Sequence, residues 1–432
     1  DYYALLPSNN WNIVSYNGQM PDSSIKNTMQ WNLDWGALQH YRKLRKETQN
    51  PRKKLYVVPP TFGRWDPTNS KWKNFQYPTP KMARCLQLLP LCYGVDGVFN
   101  YYLYNPDYRD STPSPYTIKW PNDTYGIVDD ASRYAKNQHS LLEVSGHATP
   151  DFNIISTDQY NEVREANRKL KRYGNIINSA LYDLTWRDAA TIGTSGLFLY
   201  ENAYEDCDVS GTLWDTYLDS LYVLASDGMY SGFVQSGFYS QGSSNLPWYM
   251  IVNRRTDFAT DSSGTLESVP VGDLRSGVGY NVASHQVVRY VMNQTAHDTF
   301  GTYIGLYDPD VDHQVHTSIS GVIDVEIGPG DGKLLQMCST LPTLVTNNAE
   351  LKNIAYLSGD IIIDNGAQVT IHPGTDTNIF ANTSILVKGG ATLTLSRQVI
   401  AGNNVSIRAE LCSTISFDDA VCKWGQNSAR IL

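Results

Sequence analysis

Gly366-Ala367-Gln368-Val369-Thr370-Ile371 is echoed 24 residues later by Gly390-Ala391-Thr392-Leu393-Thr394-Leu395. In both copies a glycine turn opens a short run that alternates polar with β-branched or apolar residues. That is the period-two signature of a half-buried strand. Gly359-Asp360-Ile361-Ile362-Ile363 precedes the first copy, and Asn404-Val405-Ser406-Ile407 follows the second. Short strands between Gly and Asn turns, repeating with a period in the low twenties, predict the coils of a β-solenoid from about residue 347. A lone coil cannot bury its apolar face, so stacking of at least three coils is expected. The tail supplies about three and ends without an obvious cap, so further chain is expected beyond Leu432.

Upstream, residues 193–340 show little helical periodicity and many short alternating runs. Tyr222-Val223-Leu224, Gly232-Phe233-Val234-Gln235, Trp248-Tyr249-Met250-Ile251-Val252-Asn253 and Val322-Ile323-Asp324-Val325-Glu326-Ile327 are separated by turn pairs such as Asp227-Gly228 and Pro329-Gly330. This spacing predicts an antiparallel β-sandwich.

Residues 1–190 read differently, as strands alternating with helices. Trp11–Asn17 and Lys54–Val58 read as short strands. A helix carries Leu33, Ala37, Leu38, Tyr41 and Leu44, and Pro51 stops it. Another begins near Pro80 and leads into an apolar strand, Gly94–Tyr104, which ends in Asn100 and a cluster of tyrosines. The last helix, about Thr157 to Leu184, places Tyr160, Val163, Ala166, Leu170, Tyr173, Ile177 and Leu181 on one stripe. Serial strand–helix units imply a parallel sheet with right-handed crossovers. The expected fold is multidomain α/β plus all-β. It comprises part of a (β/α)8 (TIM-type) barrel over 1–190, an antiparallel β-sandwich over 191–342 and a short β-solenoid over 343–432.

Composition narrows the function classes. The formal net charge of -9 argues against nucleic acid, whose binding needs a surplus of Lys and Arg. The basic run from Arg42 to Lys54 reads as a solvated helix face. No apolar run reaches 18 residues, so no membrane span is expected. The chain opens at Asp1, which reads as a mature or partial form. Six cysteines lack metal-type spacing. Cys412 and Cys422 are the one local pair that could form a disulfide; the alternative is a reduced, buried set. Asn122, Asn293, Asn382 and Asn404 head N-glycosylation patterns of a kind common by chance.

Three passages resemble the C-terminal portion of secreted bacterial glycoside-hydrolase-like barrel proteins. Ala83–Tyr104, with Tyr125–Asp129, is similar to the final βα unit of such barrels. Gly232–Tyr239 with Trp248–Arg254 resembles a strand pair of their accessory β-sandwich, and Ile323–Leu335 resembles its closing hairpin. Gly359–Leu395 looks like the solenoid segments of bacterial surface proteins. The resemblance implies the last three of eight barrel units, the others being removed by processing, carried on another polypeptide or missing from an incomplete sequence. It also implies an extracellular or cell-surface location.

Glycoside hydrolysis needs two carboxylates flanking the scissile bond. None of the three predicted strand ends carries a Glu, and Pro59-Pro60-Thr61 stands where the resemblance implies a nucleophile. Asp66, between Trp65 and Trp72, is the candidate catalytic residue, with an Asp-Pro turn as its ordinary reading. Asp96, inside an apolar strand, reads chiefly as structural. Trp65, Trp72, Tyr101, Tyr102, Tyr104 and Trp120 fall on loops or strand ends of one expected face, as a sugar-stacking platform or as loop packing. Among the histidines only His313-x-x-His316 approaches metal spacing, and Asp308–Asp312 lacks the acidic residue that completes a calcium loop. Neither metal nor cofactor is expected. The resulting expectation is a secreted or surface protein that binds polysaccharide, with hydrolysis lacking its carboxylate pair. The alternative is a structural module of a bacterial cell-surface layer or extracellular filament, with self-assembly or neighbouring surface proteins as partners.

Overall fold

The computed structural model describes residues 2–4, 41, 54–59, 63–66, 71–72, 80–99, 104–105, 138–139, 142–145, 153–156, 158–179, 181–183, 216–224, 234–241, 246–253, 285–310, 313–318, 320–372, 375–424 and 430–431. These residues are strand-rich, with three α-helices: α1 (Pro80–Leu88), α2 (Asp158–Ser179) and α3 (Gln294–Phe300). No helix among them is long and apolar enough to cross a membrane.

The solenoid has about three turns, and three strands make up each coil. One face stacks Leu344–Val345, Asp360–Ile363, Ser384–Val387, Ser406–Ala409 and Arg430–Ile431, all parallel. A second stacks Ala349–Leu351, Gln368–Ile371 and the start of Thr392–Ala401 and of Thr414–Trp424. The third stacks Ile354–Leu357, Asp376–Ile379 and the far ends of the same two long strands. Gln368 lies beside Thr392, a step of 24 residues, as the repeat predicts, while Ser384 lies beside Ser406, a step of 22. Inward positions are filled by Ile361, Ile363, Val369, Ile371, Ile385, Val387, Leu393, Leu395 and Ile407, each buried. A column of β-branched and leucine side chains thus replaces the single core of a globular domain.

Turn chemistry holds the coils in step. Asn365 and Gly366 both adopt positive φ (55° and 69°), and Ala367 N–H closes the turn on Asp364 O at 3.0 Å. Asn and Gly are the residues that tolerate this left-handed pair. Down another edge Asn404 Nδ2 donates to Asn382 Oδ1 at 3.0 Å, so equivalent asparagines bond across coils.

Before the solenoid, two antiparallel sheets lie over a shared core. One layer is Leu218–Leu224, Gln286–Met292 and Val322–Ile327. The other joins Leu181–Asp183, Val234–Gln241, Leu246–Asn253, Gly332–Ser339, Ile304–Tyr307 and Val315–Thr317. Between them Phe238, Tyr249, Tyr290, Phe300, Leu335 and Met337 are buried. Tyr249 meets Phe238 and Tyr290 edge-on, the geometry ring quadrupoles favour. The Pro329–Gly332 turn does not close a hairpin, contrary to the resemblance. Val322–Ile327 belongs to one layer and Gly332–Ser339 to the other, so the turn carries the chain between layers.

The barrel expectation is overturned. Tyr2–Ala4, Leu55–Val57 and Gly97–Val98 form a parallel sheet of only three short strands. The expected strand Gly94–Tyr104 is divided, because Tyr104–Asn105 pairs with Leu142–Ser145 in a different sheet. The helices explain why. The apolar stripe of α2 (Ala166, Tyr173, Ile177) and α1 with its following 3-10 turn (Cys85, Leu88, Leu91, Cys92) share a core with Tyr239, Trp248, Met250, Val252 and Leu334. The same core takes in Leu55 and Val57 of the parallel sheet, but its sheet side is mostly antiparallel strands rather than a ring of parallel ones. With no (β/α)8 barrel seen among the described residues, the glycoside-hydrolase-like assignment built on it falls as well.

That covering is intimate. At Gly237 a Cβ would stand 2.4 Å from Cys92 O, so the sheet backbone runs directly against the 3-10 turn. Tyr239 Oη donates to Leu91 O, and Cys92 Sγ to Gln235 O at 3.5 Å. The last helix ends sooner than its stripe predicts: Leu181–Asp183 leaves it to pair with Phe238–Ser240. Cys412 is a free, exposed thiol, so the Cys412–Cys422 disulfide does not form; Cys85, Cys92 and Cys338 are buried.

Candidate functional site

Asp66 lies in strand Gly63–Asp66, which pairs antiparallel with Lys71–Trp72. The register sets Trp65 opposite Trp72 and Asp66 opposite Lys71, a hairpin inside a stretch expected to be loop. Tyr104 is in strand Tyr104–Asn105 of another sheet. Tyr101, Tyr102 and Trp120 lie outside the described residues. The structure therefore brings the Trp65 and Trp72 positions together and puts Tyr104 on a separate sheet. Asp96 has a structural role: its carboxylate accepts the Leu55 N–H at 2.7 Å, tying two strands of the parallel sheet.

A richer constellation was not foreseen, at the meeting point of α2, the larger antiparallel sheet and the solenoid. Lys169 sits on the buried stripe of α2 between Ala166 and Tyr173. Its ammonium donates to both Asp331 carboxylate oxygens at 2.8 Å and to Gly332 O at 3.0 Å. One helical step away Arg168 holds Asp310 with two contacts, at 2.7 and 3.3 Å. Arg172 Nη1 approaches the same carboxylate at 3.6 Å. Below them Lys81 of α1 reaches Glu162 at 2.6 Å. A lysine interrupting an apolar stripe was the one sequence signal for this cluster, because a buried ammonium requires a carboxylate opposite.

Asp308 and Asp310 come from the loop read as a polar run. Asp308 Oδ1 accepts the Asp310 N–H at 3.0 Å, and Asp308 Oδ2 lies 3.7 Å from Lys333 Nζ. Burial raises the Asp308 carboxyl above the ordinary carboxylate range, against the opposing pull of the Asp310 N–H and Lys333. His316 is driven down to about 4, first by burial and then by Lys333. No group of three or more metal-ligating side chains gathers among the described residues.

Beside these charges stands a set of nearly parallel rings. Tyr307 stacks on Tyr356 with centroids 4.2 Å apart at 20°. Phe380 lies 5.2 Å from Tyr307 and 5.5 Å from Tyr356, and His313 lies 5.3 Å from Phe380 at 14°. Tyr307 Oη and His313 Nδ1 share a hydrogen bond at 2.8 Å, while Tyr356 Oη donates to Gln336 Oε1 at 3.0 Å. Tyr307 is pushed up to about 12, chiefly by burial. Two rings come from the antiparallel sheet and its loop and two from the solenoid, which is why no local pattern announced them.

Compared with models of known protein families, with curated proteins and with solved structures, the chain matches none.

Proposed function

We propose that this chain is a rigid structural module of a cell-surface or extracellular assembly. One observation carries that reading: the sheet covering α1 and α2 and a face of the solenoid belong to a single 12-stranded sheet, joined at the Ser339–Ala355 pair. A parallel solenoid grows by adding coils and sets a fixed distance between its ends. Joined at that pair to a two-layered unit, which we read as a β-sandwich, it works as a spacer. Labelling of intact cells with an antibody against the solenoid, compared with lysed cells, tests the placement. Signal confined to lysed cells removes the reading.

Polysaccharide binding is a second reading, favoured by the register that sets Trp65 opposite Trp72. Aromatic residues at paired positions suit the apolar faces of sugars. A glycan array with Trp65→Ala and Trp72→Ala variants is the test, and binding indifferent to both changes removes the hairpin platform.

A further inference from the structure

The ring cluster at the solenoid junction has features that packing alone does not require. His313 is exposed, yet its backbone sits at φ 46°, in the left-handed region that L side chains adopt at a cost. Three contacts hold it there. Its N–H donates to Asp310 O at 3.0 Å, Asp308 N–H donates to Gln314 O at 2.8 Å to close the loop, and Tyr307 Oη bonds Nδ1. An exposed imidazole is thus fixed nearly parallel to the rings of Tyr307 and Phe380, at 10° and 14°. The outer edge of the cluster is polar and charged. Arg172, 36% exposed in its side chain, stands beside Asp310, whose orientation the paired contacts with Arg168 set.

We propose that this cluster is a saccharide-binding site. One sugar ring lies against the exposed His313 end of the ring set, and Arg172 and Asp310 take its hydroxyls. A pyranose offers an apolar C–H face ringed by hydroxyls. A site for it therefore needs a flat aromatic surface with fixed donors and acceptors at the edge. The site extends the polysaccharide reading above and lies in a different part of the fold from the Trp65–Trp72 hairpin.

The test is calorimetric titration of the full chain with soluble β-linked oligosaccharides of glucose, xylose, mannose and N-acetylglucosamine. The variants are His313→Gly, Arg172→Ala and the Trp65→Ala/Trp72→Ala double change. His313→Gly removes the ring and relieves the left-handed backbone, so its melting temperature stays level or rises. A bound oligosaccharide that loses about tenfold or more in affinity in both His313→Gly and Arg172→Ala supports the site. Affinity unchanged in those two variants but lost in the tryptophan variant overturns it while leaving the hairpin reading standing. Failure of every oligosaccharide to bind the unaltered chain removes both.

Discussion

Ser339 pairs in parallel with Ala355, and through this register the antiparallel sheet becomes the third face of the solenoid. The Ser339 hydroxyl lies against the carbonyls of Phe300 and Lys352 and accepts the Lys352 N–H at 3.1 Å. One buried side chain therefore joins the end of α3, the last strand of the two-layered unit and the first coil. Gly301 pairs with Leu351 on the adjoining face and covers the edge that the first coil would otherwise leave open.

Ser339→Ala removes the hydroxyl from this junction, while the Lys352 N–H keeps its backbone bond to Phe300 O at 3.1 Å. A lost hydrogen bond of this kind costs about 0.5–1.5 kcal/mol. The expected outcome of urea denaturation followed by circular dichroism is a loss of about 1 kcal/mol, with the solenoid separating from the two-layered unit as an earlier transition. A midpoint equal to that of the unaltered chain counts against the weld.

Gly237→Ala introduces a methyl group 2.4 Å from Cys92 O, where both partners are backbone. Relief requires the 3-10 turn to withdraw from the sheet and the Tyr239–Leu91 hydrogen bond to break. Destabilisation above about 2 kcal/mol is expected, in the class of buried overpacking. Hydrogen exchange of α1 amides should accelerate more than that of the solenoid strands, and the reverse order would refute the placement of this contact.

Lys169→Met strips Asp331 of its principal buried partner. Breaking one side of a buried ion pair costs roughly 3–5 kcal/mol, whereas replacing both partners can be nearly neutral. The double variant Lys169→Met/Asp331→Leu is therefore expected to be more stable than Lys169→Met alone. Thermal melts of the two single variants and the double give the coupling directly, and strictly additive losses would contradict it.

His316 makes stability fall with acid. Its folded pKa of about 4 lies below the ordinary histidine value of 6.5, so the unfolded chain binds the extra proton more readily. The contribution is fully present above pH 6.5 and is lost as pH falls toward 4, amounting to at most ~3 kcal/mol for this shift. Lys333 and the buried Asp308 face the same region, and Asp308 acts in the opposite sense: its raised pKa favours the folded state at low pH. His316→Gln should therefore flatten the slope of melting temperature between pH 6.5 and 4. A slope identical to that of the unaltered chain would show that His316 does not govern it.

What was legible in the amino acids alone is the solenoid, and the reason is range. Each coil repeats the same local information, a left-handed Asn or Gly turn and then inward β-branched residues, and pairs only with its sequence neighbours. Pattern and structure there share one length scale. The short antiparallel strands were readable as strands for the same cause, and Val322–Ile327 alternates as written, with Ile323, Val325 and Ile327 inward.

Tertiary structure alone decided what those elements face. The stripes of α1 and α2 are equally compatible with parallel strands or an antiparallel sheet, since an amphipathic helix specifies that it must be covered and leaves open by what. Contacts such as Cys92 to Gln235 and Lys169 to Asp331, well over a hundred residues apart in sequence, settle that choice. The same holds for Tyr307, His313, Tyr356 and Phe380. Nothing in the sequence links their four segments, and they form a ring cluster where the antiparallel sheet meets the solenoid at Ser339.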